Sequence, residues 1–199
     1  QIRKWKKAGL ILVSLILVLF TGFRYLIPLL PPPEPTGNIE VLTDMIFYRY
    51  KSEIPEMLTH GDEREVPVKV WYPKGAKENE LPLLIYSPGS FGGADSNETL
   101  FLELVSRGYM VMSFNHPYHS FSSKMSDGSK IRVDFNFINE VMTSPGSKEL
   151  NSTLISLNKW TDIRIDDINE VLDKILDTNS DNNYEKYIDT KRIVLSGHS

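Results

Sequence analysis

Short apolar runs alternate with one-faced helical stretches along most of this chain, and that alternation restricts its fold more than any other feature. Leu83–Tyr86 is an apolar run that stops at Ser87-Pro88-Gly89, as a buried central strand would. A helix follows to about Arg107, with Leu100, Phe101, Leu104 and Val105 on one face. Asp95 or Ser96 is its expected cap, Glu98 the capping-box partner of Asp95, and Gly108 its stop. Tyr109–Phe114 is the next strand. Ile168, Val171, Leu172, Ile175 and Leu176 then form a second helical stripe before a final apolar strand, Arg192–Leu195. Strand–helix–strand–helix–strand predicts an α/β fold, a mostly parallel sheet with helices on both faces. Upstream, Met45–Tyr50 and the alternating Val66, Val68, Val70 and Tyr72 add two strands, and Pro67 suggests an edge position for the second. Phe121–Met125 and Ile131–Phe135 flank Asp127-Gly128, a hairpin signal.

The N-terminus has a different composition. Ala8 to Phe23 is sixteen residues without a charge. Continued through Arg24 to Leu30, the segment reaches the ~20 residues that a membrane span requires. Trp5 and Tyr25 bracket it as interfacial aromatics, and Arg3-Lys4-Trp5-Lys6-Lys7 predicts that the N-terminal side stays in the cytoplasm. A cleavable signal peptide is the rival reading, but no small-x-small cleavage site follows the apolar run. The expected organisation is a basic flank (1–7), a transmembrane anchor (8–30), a stiff Pro-rich linker (31–40) and a domain (41–199) facing away from the cytoplasm. The anchor is the single span or the last of several.

Charge divides the same way. Residues 1–30 hold five basic residues and no acid, leaving 17 basic against 26 acidic residues in the remainder. An acidic domain argues against nucleic acid as a partner. The chain has no Cys, which removes disulfides and thiolate metal sites.

Chemistry is suggested at two turns. Ile193-Val194-Leu195 runs into Ser196-Gly197-His198-Ser199, the first half of a G-x-S-x-G nucleophile turn. A serine hydroxyl needs a base and oxyanion donors to react, and a tight strand-to-helix turn presents it to both. The second turn, Ser87-Pro88-Gly89-Ser90-Phe91-Gly92-Gly93, follows the third strand, where such folds place their other oxyanion donor. It has no Lys-Ser/Thr after Gly92-Gly93, so a phosphate-binding loop is not indicated. His116 and His119 sit at a strand end, either lining a pocket or forming an H-x-x-H pair, although no carboxylate stands beside them in sequence. His198 is expected to orient or pack beside the turn. The acids of 162–189 read as a solvated helix face and loop. No cofactor and no metal is called for.

Leu83–Ser90, Ser106–Tyr118 and Ser196–Ser199 together resemble the α/β-hydrolases of the platelet-activating-factor acetylhydrolase-like group, related to bacterial carboxylesterases and dienelactone hydrolases. Pro88 stands where that group usually has His, and Asn115 where it usually has Asp. The resemblance implies the N-terminal part of an α/β-hydrolase domain, with Ser199 as nucleophile and the Ser90 backbone N–H as oxyanion donor. The second donor, the acid and the base would follow Ser199, so residues 1–199 alone would be inactive. None of His60, His116, His119 and His198 would then be the base. The implied activity is a membrane-anchored serine esterase acting on a small-molecule ester or lipid-like substrate. Its alternatives are a peptidase or thioesterase of the same fold, or a non-catalytic binding domain.

Overall fold

The computed structural model describes residues 2–26, 33–144, 150–177 and 184–198. The chain divides into two compact units, one up to Pro33 and one from Glu34 on. The first contains a helix, α1 (Ile2–Leu26). Its Trp5–Leu26 stretch has a mean hydropathy of 2.1 and is long and apolar enough to cross a membrane. Thr21 lies in this stretch, and its hydroxyl donates to the Leu17 carbonyl at 2.7 Å, so it needs no outside partner.

The second unit is built on five strands: β1 (Val41–Tyr50), β2 (Arg64–Pro73), β3 (Leu81–Ser87), β4 (Met110–Phe114) and β7 (Ile188–Gly197), in the order β1-β2-β4-β3-β7. A separate hairpin joins β5 (Ser122–Lys124) and β6 (Lys130–Arg132) across the expected Asp127-Gly128 turn. Helices α2 (Glu98–Val105), α3 (Phe135–Thr143) and α4 (Leu150–Leu176) complete it.

Period-two alternation assigns each strand residue to a face. Val66, Val68, Val70, Leu83, Ile85, Met110, Met112 and Phe114 pack on one side with Val171 and Ile175 of α4. Trp71, Tyr86 and Val111 point the other way and meet Phe101 and Val105 of α2. Trp71 is fully buried, with its ring centroid 4.8 Å from that of Phe101. Burial of side chains this size contributes roughly 2–3 kcal/mol each. Both faces are therefore covered by helix, as the sequence pattern predicts.

Four expectations need correction. First, the sheet is mixed rather than mostly parallel: β2 runs antiparallel to both β1 and β4, and only β4-β3-β7 is parallel. Parallel neighbours need a crossover of a dozen or more residues. The connections through α2 and α4 supply one and lead into the parallel strands. Second, Pro67 does not mark an edge, because β2 lies between β1 and β4. Its carbonyl accepts from Asn115 N–H at 2.9 Å just past the end of β4, so its missing donor falls where that ladder has stopped. Third, there is no capping box at α2: Asn97 is the N-cap residue, while Asp95 and Glu98 both engage Lys69. Gly108, with φ +94°, does end that helix. Fourth, β7 is an exposed strand among the described residues. Val194 and Leu195 are each 59% exposed, because β3 is its one partner among the described residues.

Candidate active site

The chain reverses its direction of growth across the sheet at β3. From β3 it passes through α2 to β4 on one side, then returns through α4 to β7 on the other. In a parallel sheet this switch opens a crevice beyond the C-terminal ends of the two flanking strands. Here those ends carry the two turns singled out in the sequence. Tyr86 pairs with Ser196 and Ser87 with Gly197, which brings Ser87–Gly93 alongside Gly197-His198. The His198 N–H donates to the Ser87 carbonyl at 3.1 Å. A Cβ on residue 197 would lie 3.0 Å from that same oxygen, so a glycine suits the close approach.

A cavity of about 300 Å³ opens here, lined by Ser87, Ser90, Phe137, Trp160, Arg164 and His198 among others. Ser90 is exposed at its rim. The Phe91 and Gly92 amides are taken by His119 O and Gly89 O at 3.0 Å each. Among the described residues the Ser90 N–H meets no acceptor, which leaves it available to an incoming oxyanion. Ser199, the expected nucleophile, lies outside the described residues. α3 supplies Phe137 and Val141 to the cavity wall, and α4 supplies Leu157 and Trp160.

Beneath the crevice is a hydrogen-bonded chain that motif reading did not anticipate. Ser87 Oγ lies 3.0 Å from His116 Nε2, and His116 Nδ1 lies 2.8 Å from Asp167 Oδ2. Arg64 grips Asp167 with two bonds, Nε to Oδ1 at 2.7 Å and Nη2 to Oδ2 at 2.9 Å. Tyr50 OH donates to Oδ1 at 2.8 Å. Arg64, His116 and Asp167 are all fully buried. An ionised Asp167 can only accept, so His116 carries its proton on Nδ1 and its bare Nε2 accepts from the Ser87 hydroxyl.

Asp167 thus corrects the reading of 162–189 as a solvated face. It sits in register with Trp160, Ile163, Val171 and Ile175, the buried stripe of α4. A lone acid at a three-to-four-residue step within an apolar stripe is the signal that would have found it.

The same helix holds the upstream turn directly. Arg164 Nη1 donates to Pro88 O at 2.6 Å, Nη2 to Gly89 O at 3.2 Å, and Nε to His119 Nδ1 at 3.3 Å. His119 stacks on Phe137 with ring centroids 4.5 Å apart.

The electrostatics of this network follow from burial. Burial opposes ionisation of Asp167, but the Arg64 charge and the bonds from His116 and Arg64 outweigh it and hold the carboxyl well below the usual carboxylate range. Burial pushes His116 down to about 4; Asp167 pulls the other way, while Arg164 and Arg64 add to the push. Burial, with Arg164, His116 and Arg64, pushes His119 down to about 2, against the opposing pull of Asp167.

Both histidines are therefore neutral in the folded protein across a range where the unfolded chain, with an ordinary value near ~6.5, takes up protons. Stability should fall as the pH drops from about 6.5 towards 4, because the unfolded state binds more protons there. Asp167 stays ionised throughout that range, so its own contribution does not change. Urea unfolding at pH 7 and pH 5 should differ by about 2–4 kcal/mol. Equal midpoints at the two pH values would exclude neutral buried imidazoles.

No family model matches the chain, and no curated protein sequence matches it. Among solved structures it is similar to a ferulic acid esterase from Streptomyces cinnamoneus, with a TM-score of 0.57 and 19% identity over 84% of this chain and 54% of that one. A glucuronoyl esterase from Solibacter usitatus matches over 85% of this chain and 48% of that one, at 14% identity and a TM-score of 0.37. The chain spans about half the length of either structure. The first likeness shows the fold: a mixed sheet clothed in helices, which fits an α/β-hydrolase fold.

Proposed function

We propose that this protein is a membrane-anchored serine hydrolase that cleaves carboxylic ester bonds, of the platelet-activating-factor acetylhydrolase-like group, with Ser199 as nucleophile. The observation that carries this reading is the crevice at the strand switch, where the turn bearing Ser90 lies beside the strand end that leads into Ser199. In the proposed reaction Ser199 Oγ attacks the ester carbonyl carbon and its proton passes to a base. The carbonyl oxygen becomes an oxyanion held in part by the Ser90 N–H. Collapse of the tetrahedral intermediate expels the alcohol and leaves an acyl-serine, which water then cleaves to the acid.

The cavity has Phe137, Val141, Leu157, Trp160 and Ile168 on its walls, which favours an ester with an apolar group. Helix α1 supports attachment to a membrane, and the basic residues ahead of the apolar run favour a domain on the non-cytoplasmic side. Incubation of the full-length protein with a fluorophosphonate probe, followed by peptide mapping, tests the nucleophile. The adduct is expected on Ser199. An adduct on another residue, or none on folded protein, would overturn the assignment.

A further inference from the structure

The chain Ser87–His116–Asp167 has the atoms and spacing of a reacting triad. Its surroundings argue for another role. Asp167 is shared with Arg64, and burial of the ring outweighs the carboxylate's pull towards an imidazolium at His116. Arg64 and Arg164 both oppose a proton on that ring. A general base works best with a value near the working pH. What the chain does touch is the upstream turn. His116 opens a loop whose His119 carbonyl accepts from Phe91 N–H and whose Phe121 N–H donates back to the Phe91 carbonyl, at 3.0 and 3.1 Å. Phe91 has φ +69° and Tyr118 in the bracing loop has φ +67°. Side-chain-bearing residues keep such conformations only where their surroundings hold them. One helical turn from Asp167, Arg164 fixes the Pro88 and Gly89 carbonyls.

We propose that Ser87, His116 and Asp167 form a positioning relay that, together with Arg164, sets the peptide planes of the Pro88–Phe91 turn and so aims the Ser90 N–H. The aim matters for catalysis only if the site is the esterase centre proposed above; the relay itself stands apart from that reading. Helix α4 grips the turn at two places. Arg164 holds its carbonyls, and Asp167 holds the bracing loop through His116, whose far nitrogen is tied to Ser87 at the root of the turn. In a trans peptide the N–H points opposite to its carbonyl. Turning the Gly89 carbonyl towards Arg164 therefore turns the Ser90 N–H away from α4.

The test uses Ser87, whose loss removes one hydrogen bond and leaves the buried ion pair intact. In full-length Ser87→Ala, amide hydrogen exchange across residues 89–93 should quicken by about tenfold, with β1 and β2 unchanged. The kcat for p-nitrophenyl acetate should fall by roughly tenfold with KM within about twofold, since a small misplacement of a donor costs rate more than binding. Ser87→Thr, which keeps the hydroxyl, should restore both. Unchanged exchange in Ser87→Ala, equal behaviour of the Ala and Thr variants, or a fluorophosphonate adduct on Ser87 would each overturn the relay. Exchange decides the matter even if the wild-type protein hydrolyses no ester, a result that would sink the esterase reading alone.

Discussion

Asp167→Ala should destabilise the domain by about 3–5 kcal/mol, the cost of leaving a buried charge without its partner. Arg64 is fully buried and would keep neutral partners such as the Met57 and Pro117 carbonyls, at 3.0 and 3.3 Å, but no countercharge among the described residues. His116 and Tyr50 would lose their acceptor in the same step. Several kcal/mol is a large share of the ~5–15 kcal/mol that holds a domain together. At about 2–4 °C per kcal/mol for a domain of this size, Tm should drop by roughly 6–20 °C. Asp167→Asn keeps the shape and part of the hydrogen bonding, so it should fall between. Replacing both partners, as in Arg64→Met with Asp167→Leu, should recover much of the loss, because the desolvation of two ions disappears with them. Thermal and urea unfolding of the four proteins checks the series. A single Asp167→Ala variant within ~1 kcal/mol of wild type would show that the pair is not dry.

Ser199→Ala should lower kcat on p-nitrophenyl esters by at least about three orders of magnitude in the full-length protein, with KM little changed. The residual rate would come from oxyanion donors and binding alone. Fluorophosphonate labelling should vanish along with turnover. If Ser199→Ala kept kcat within tenfold, the nucleophile would lie elsewhere, and Ser87 would be the first residue to examine, given its bond to His116.

How far the sequence disclosed these features depends on the range of the interactions behind them. The faces of β2 and β4 follow from alternation over a few residues, and the two turns follow from local Ser, Pro and Gly chemistry. Strand direction and neighbours do not. Pro67 looks like an edge marker until Asn115 is placed beside it, and Val194 and Leu195 look like core until β7 is seen with β3 alone among the described residues. The relay was the least legible feature. Its links join residues 29, 51 and 103 positions apart, and neither the Ser87 turn nor the His116–His119 pair points to Asp167 or Arg64. Asp167 was hidden among other acids of α4, although its step from Ile163 to Val171 set it on the buried side.

Helix α4 has two duties that usually fall to separate elements. Trp160 and Ile168 form part of the cavity wall, and Arg164 and Asp167, on the turns between them, hold the Pro88–Phe91 turn and its bracing loop. Fit and geometry are therefore mechanically joined. A substrate that pushes the helix outward would also tilt the peptide planes it steadies. Reshaping the cavity from α4, for instance by trimming Trp160, should then alter the rate on every substrate and not only the choice among them. Phe137 is no freer, since it packs on Phe91 and His119, so changes of selectivity that leave the rate intact should come from Val141 on α3.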